Sequence, residues 1–121
     1  MRKHKELRVW QDAMMLVERI YAVTSSFPDQ ERFGLTSQMR RAAVSVPSNI
    51  AEGVARATLA DYLRFLVMAR GSLSELDTQM DIGIRLEYFH TDSELDELVD
   101  RTFARLNALI RSIDQKRKEL P

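Results

Sequence analysis

Two patterns in this sequence have the residue types for chemistry. The first is Glu87-Tyr88-Phe89-His90, a Glu-x-x-His spacing. Helical bundles that carry this spacing on two helices, with further carboxylates, hold a pair of metal ions. Here the second half is missing, because the other histidine, His4, lies in a basic lead-in outside any such motif. A lone four-residue match is what chance supplies, so neither a metal nor a cofactor is expected. The second pattern is the pair Glu52 and Glu75. Two carboxylates held close together shift each other's pKa, as general acid and base pairs require. Arg40, Arg41 and Asn49 are equally placed to pair with them, and ion-pair networks mimic active-site signatures. The expectation is a polar network or subunit interface made of Arg40, Arg41, Asn49, Glu52 and Glu75, with no catalytic residue. Nucleophilic chemistry has no carrier. The chain has no cysteine, no Gly-x-Ser-x-Gly turn and no glycine-rich phosphate loop.

The elements that must position these residues read as helices. A first helix begins near Val9, with Trp10, Ala13, Met14, Val17, Ile20 and Tyr21 at three- and four-residue steps. Pro28 to Phe33 reads as a short turn ending at Gly34. The second helix runs from Leu35 or Thr36 to about Gly53 and carries the charged stretch. Pro47 inside it cannot donate to the carbonyl of Ala43, so a bend is predicted there. Thr58 then caps a third helix, with Asp61 three residues on. Its seam of Leu59, Tyr62, Leu66, Ala69, Leu73, Leu76, Met80 and Gly83 alternates three- and four-residue steps. A second stripe, from Phe65 through Met68, Glu75 and Gln79 to Ile82 and Leu86, is apolar at its ends and polar in its middle. Gly71 weakens this helix by roughly 1 kcal/mol relative to alanine, which predicts a backbone contact that a side chain would block. Thr91 and Glu94 form a capping-box pattern ahead of a last helix that contains Leu95, Leu98, Val99, Thr102, Leu106, Ile110 and Ile113. Short connections favour antiparallel neighbours. The predicted fold is all-α, an up-down-up-down four-helix bundle in one domain over 1–121, with a flexible basic lead-in at 1–8 and a frayed basic tail at 115–121.

Length and composition agree with this. A chain of 121 residues with 45% hydrophobic and 30% charged residues can bury one core without staples. No apolar run approaches a membrane span, and the absence of cysteine fits a reducing, cytoplasmic setting. The 18 basic and 18 acidic residues cancel, so bulk attraction to nucleic acid is not predicted. Placement matters more than the total. In the predicted topology the N-terminus, the second connection and the C-terminus share one end. That end gathers Arg2, Lys3, Lys5, Arg8, Arg56, Lys116, Arg117 and Lys118, a rim able to contact the phosphates of RNA or DNA. The opposite end gathers Asp29, Glu31, Glu87, Asp92, Glu94, Asp96 and Glu97. Solvated, flexible tails are the plainer explanation of the same basic residues.

Five segments occur in order: Leu7-Arg8-Val9-Trp10-Gln11-Asp12-Ala13, Phe27-Pro28, Gln38-Met39-Arg40-Arg41-Ala42-Ala43, Ser48-Asn49-Ile50-Ala51-Glu52-Gly53 and Gly71-Ser72-Leu73-Ser74-Glu75-Leu76. Together they resemble the bacterial four-helix-bundle family encoded by intervening sequences of large-subunit ribosomal RNA genes. The resemblance spans nearly the whole chain. It implies a bundle that assembles as a ring, commonly a pentamer, with links to RNA biology. The family is similar to the accessory protein of diversity-generating retroelements, a pentameric bundle that binds nucleic acid and a reverse transcriptase. The function expected from residues and resemblance together is a non-enzymatic, homo-oligomeric interaction or scaffold module, with RNA or DNA contact through its basic pole. A purely structural or protein-binding module without nucleic acid is the alternative, and a metal-dependent enzyme stands behind both.

Overall fold

The computed structural model describes residues 2–121; Met1, the first residue of the expected lead-in, lies outside the described residues. Four helices carry the chain: α1 (Arg8–Thr24), α2 (Leu35–Val54), α3 (Leu59–Arg85) and α4 (Ser93–Lys118). Short 3-10 turns at Lys3–Glu6 and Asp29–Glu31 precede α1 and α2. Thr58 caps α3 as its pattern predicts, its side chain accepting the Asp61 N–H at 3.1 Å. The start of α4 differs from the expected capping box. Asp92 is the cap, accepting the Leu95 N–H at 2.7 Å, and the Thr91 hydroxyl donates to Asp96 instead. A carboxylate at this position also meets the positive end of the helix dipole.

Each helix packs on its chain neighbours, and α1 closes the ring against α4. Asp12 of α1 meets Arg101 and Arg105 of α4, while Arg19, two turns further on, meets Asp92. Arg70 of α3 meets Asn107 of α4, whereas Met80 and Asp81 lie beside Asp96 and Val99. In both pairs one number rises as the other falls, so the helices run antiparallel. The core is the predicted set of stripes: Leu16 and Ile20, Met39, Val46 and Ile50, Leu66, Leu73 and Leu76, Leu95 and Leu106 are fully buried. At that scale of burial, truncating Leu73 to alanine costs about 2–5 kcal/mol.

α2 stays helical through Pro47, which is buried. The Ser45, Ser48 and Asn49 side chains turn back onto the carbonyls of Arg41, Val44 and Ser45. Gly53 closes α2 where it crosses α3. A Cβ there would stand 3.0 Å from the Phe65 Cβ and 3.2 Å from the Tyr62 carbonyl oxygen. At the other end of the bundle, Phe27, Tyr88 and Phe89 stack over Gly83. There α3 ends with Tyr88 N–H on the Gly83 carbonyl, Glu87 N–H on the Ile84 carbonyl, and Glu87 itself at φ 63°. This is a Schellman stop with glutamate in the left-handed position usually held by glycine.

Part of the expected lead-in is a defined turn. Residues 3–6 lie against α1 and α2, the Gln11 side chain donates to the Lys5 carbonyl, and the His4 ring meets Trp10 edge-on at 5.2 Å. α4 likewise carries Gln115 to Lys118 of the expected tail as helix. Among the described residues, no helix is long and apolar enough to cross a membrane.

Candidate functional site

The charged stretch of α2 is distributed over separate partners within one chain. Arg40 reaches α1: its Nε donates to the Thr24 hydroxyl at 2.9 Å, its Nη2 lies 3.4 Å from the Tyr21 carbonyl, and its guanidinium lies 4.5 Å over the Tyr21 ring. Arg41 is exposed one residue on. Asn49 donates to the Ser45 carbonyl of its own helix. Glu52 pairs with Arg56 at 3.0 Å across one turn of surface. Glu75 accepts from Gln79 on α3. The five residues are therefore not joined by direct bonds, and Arg41, Glu52 and Glu75 face solvent. The helical period explains this. Arg41 and Glu52 fall on the side of α2 opposite Val46 and Ile50, away from the core.

The buried charge lies elsewhere, on α1. The Asp12 side chain is 5% exposed and receives Arg101 Nε at 3.2 Å and Arg105 Nη1 at 2.7 Å. Sequence reading missed this clamp, although its signal is present. Asp12 sits at helical spacing between Val9 and Leu16, so a carboxylate occupies a core position, and Arg101 and Arg105 stand one turn apart on α4. It ties α1 to α4, the contact that closes the ring of helices. Gln79 is also buried, and its Oε1 has no hydrogen-bond partner among the described residues.

The Glu-x-x-His match is dispersed. Glu87 is the left-handed stop of α3 and His90 is an exposed loop residue. Among the described residues, no group of three or more ligating side chains is arranged for a metal. Paired acids do occur where the sequence reading did not place them. Asp77 and Asp81 of α3 face Asp96 and Asp100 of α4 across a groove of about 300 Å³. Loss of hydration raises the Asp77 pKa above its ordinary value, and Asp81, Asp100 and Asp96 push it further up.

Part of the charge expected at the basic pole is neutralised within the chain. Lys3 lies beside Val54 and Tyr62, at the crossing from α2 to α3, and Arg117 lies beside Ala60 and Arg64. Arg56 is paired with Glu52, and Arg117 and Lys118 are paired with Asp114. Hydrogen bonds from Arg117 and Lys118, with the charges of both, hold the Asp114 pKa below its ordinary value. Among the described residues, Arg2, Lys3, Lys5, Arg8 and Lys116 have no carboxylate within salt-bridge distance.

Two apolar surfaces remain open. Trp10, Met14 and Val17 of α1 and Val44, Pro47 and Ala51 of α2 line a groove of about 360 Å³. On α3, Met68, Ile82 and Leu86 are exposed along one row, with Gly71 and Glu75 between them. A Cβ at Gly71 would meet nothing within 4 Å, so the close contact expected of that glycine is absent among the described residues.

A family model described as 23S rRNA-intervening sequence protein matches residues 5–110. Among solved structures, the chain is similar to a protein of unknown function from the S23 ribosomal protein family of Bacteroides thetaiotaomicron. The TM-score is 0.67 at 25% sequence identity, over 87% of this chain and 96% of that one. Comparison with curated proteins gives no match.

Proposed function

We propose that this chain, which belongs to the 23S rRNA-intervening sequence protein family, works as a non-enzymatic helical scaffold that associates with copies of itself and touches RNA or DNA through its basic rim. The observation that carries this reading is the pair of unpartnered apolar surfaces on different sides of one bundle: the α1–α2 groove and the α3 row of Met68, Ile82 and Leu86. Two different surfaces that fit each other make a head-to-tail contact, and such contacts close into rings when the rotation allows. The pentameric ring implied by the sequence resemblance is one such closure. Gly71 and Glu75 in the middle of the α3 row then become contact residues. Nucleic-acid contact would use Arg2, Lys3, Lys5 and Lys116, with Arg56, Arg117 and Lys118 released from Glu52 and Asp114.

Sedimentation at micromolar concentration tests the association, with Glu75→Ala expected to weaken it while leaving the helical content unchanged. Monomer only would refute it. A mobility-shift titration with RNA and DNA tests the rim: retention at low salt, weakened on substituting Lys3, Arg56 and Lys116, is expected. Binding indifferent to those three would remove the rim from the proposal. The second reading, a protein-binding module without nucleic acid, is favoured by the acidic groove of Asp77, Asp81, Asp96 and Asp100. A protein partner recovered after nuclease treatment, and lost on charge reversal of that groove, supports it.

A further inference from the structure

We propose that the cleft between the end of α1 and the first half of α2 binds a nucleotide unit, a flat base joined to a phosphate. This site lies at the end of the bundle away from the basic rim and is independent of it. The cleft measures about 510 Å³ and is lined by Tyr21, Arg32, Phe33, Arg40 and Arg41, with Thr36 and Ser37 from the first turn of α2. No aspartate or glutamate lines it. Among the described residues, none of its three arginines has a carboxylate within salt-bridge distance. In a chain with equal numbers of acids and bases, three unneutralised guanidiniums in one cleft form a local field for an anion.

The aromatic side chains supply the second half of the recognition. Phe33 is 87% exposed. One isolated exposed apolar side chain needs no explanation, but this one stands among arginines in a concave site. The Arg32 guanidinium lies 5.3 Å from its ring centroid and Arg40 lies 4.5 Å over Tyr21. Arginine beside an open aromatic face is the composition that stacks bases and holds backbone phosphate without reading sequence. Arg40 is already fixed by Thr24 and the Tyr21 carbonyl, so little freedom is lost when it meets a phosphate. The first turn of α2 does not add to the field, because the Glu31 carboxylate already accepts the Leu35 N–H at the helix N-terminus; the three guanidiniums carry the attraction. The nearby carboxylate, Glu31, is held by the Tyr88 hydroxyl and the Leu35 N–H.

The test is fluorescence anisotropy at low salt with an end-labelled single-stranded RNA of about 12 nucleotides, competed with AMP. The proteins are the parent chain, Arg32→Ala, Arg41→Ala, Phe33→Leu, and a Lys3→Ala/Lys116→Ala double variant. Phe33→Leu is expected to weaken binding about ten-fold. Each arginine variant is expected to lower the slope of log affinity against log salt by about 0.7. The double lysine variant is expected to weaken total binding through the rim, while the loss of about ten-fold caused by Phe33→Leu is the same in its background as in the parent. Displacement by AMP at concentrations comparable to the RNA marks a free-nucleotide site. Displacement only at far higher concentrations marks a strand site, and either supports the cleft provided the three variants weaken it. Three results overturn the proposal: no binding of RNA or AMP, binding indifferent to Arg32, Phe33 and Arg41, or sedimentation showing that these substitutions disrupt self-association, which would make the cleft a subunit contact.

Discussion

Alanine at Gly53 and alanine at Gly71 should move stability in opposite directions. Both glycines lie inside helices, and alanine at either gains about 1 kcal/mol of helix propensity. Their surroundings decide the net effect. At Gly53 the new methyl would stand 3.0 Å from the Phe65 Cβ, 3.1 Å from Tyr62 Cδ1 and 3.2 Å from the Tyr62 carbonyl oxygen. Two of these atoms are backbone or fixed to it, so no rotamer change clears them, and α2 must move off α3. Overpacking of this kind costs about 1–3 kcal/mol, which leaves Gly53→Ala between neutral and about 2 kcal/mol less stable. At Gly71 no atom lies within 4 Å, so Gly71→Ala keeps the whole gain of about 1 kcal/mol. The two variants should differ by about 1–3 kcal/mol in urea unfolding at an unchanged m value. Equal stability, or Gly71→Ala the weaker of the two, would refute the reasoning. Sedimentation adds a second reading. If the α3 row is a subunit contact, Gly71→Ala strengthens the isolated chain and weakens association. A protein that gains both stability and association from that methyl has no close approach at Gly71.

The remaining predictions concern charge and backbone. Asp12→Ala should cost about 1–3 kcal/mol by leaving two arginines without their acceptor. That is less than for a wholly buried pair, since Arg101 and Arg105 keep 40% and 38% of their exposure; urea midpoints of the single and double variants with Arg105→Ala check it. Asp77→Asn should stabilise the protein at neutral pH. The folded-state pKa of Asp77 is raised, so stability falls as pH rises from the unfolded value through the folded one, and the penalty is complete above it. The gain from asparagine should vanish at pH below the unfolded aspartate value of roughly 3.9; an equal gain at pH 3 and pH 7 would show that ionisation is not its cause. Glu87→Gly should stabilise by about 1 kcal/mol, because glycine holds the left-handed stop of α3 without the Cβ conflict. A thermal midpoint unchanged or lowered would mean that Glu87 makes a compensating contact.

Helix positions and core stripes were legible because a periodic apolar pattern reports which side of a helix loses its water, and burial dominates folding. Leu66, Ala69, Leu73, Leu76 and Met80 are buried as their spacing predicts. The polar contacts were less legible. Arg40, Arg41, Asn49, Glu52 and Glu75 stand out by composition, yet their partners depend on azimuth around α2 and α3 and on side chains that swing. Glu52 finds Arg56 four residues away, and Arg40 finds Thr24 and Tyr21 across the α1–α2 seam. The Asp12 clamp escaped for the opposite reason. Its residues are ordinary in composition, and only placing Asp12 on the buried stripe of α1 reveals a carboxylate that must be paired. The glycine at position 71 predicts a close contact, and nothing among the described residues supplies it. The spacing alone could not distinguish a neighbouring helix from a neighbouring molecule.

The same contrast bears on function. A net charge of zero argued against general attraction to nucleic acid, but net charge is a sum, and a ligand meets a local field. The fold separates the terms of that sum. Asp77, Asp81, Asp96 and Asp100 share the α3–α4 groove, where repulsion and lost hydration raise the Asp77 pKa. Arg32, Arg40 and Arg41 share the α1–α2 cleft, which no acid lines. Crowding like charges is unfavourable on its own. A counter-charge relieves both: an anion in the cleft, or a partner's bases in the groove. A neutral bundle that presents one surface of each sign can hold an anionic strand and still meet copies of itself without net repulsion, which a uniformly basic bundle cannot do at low salt.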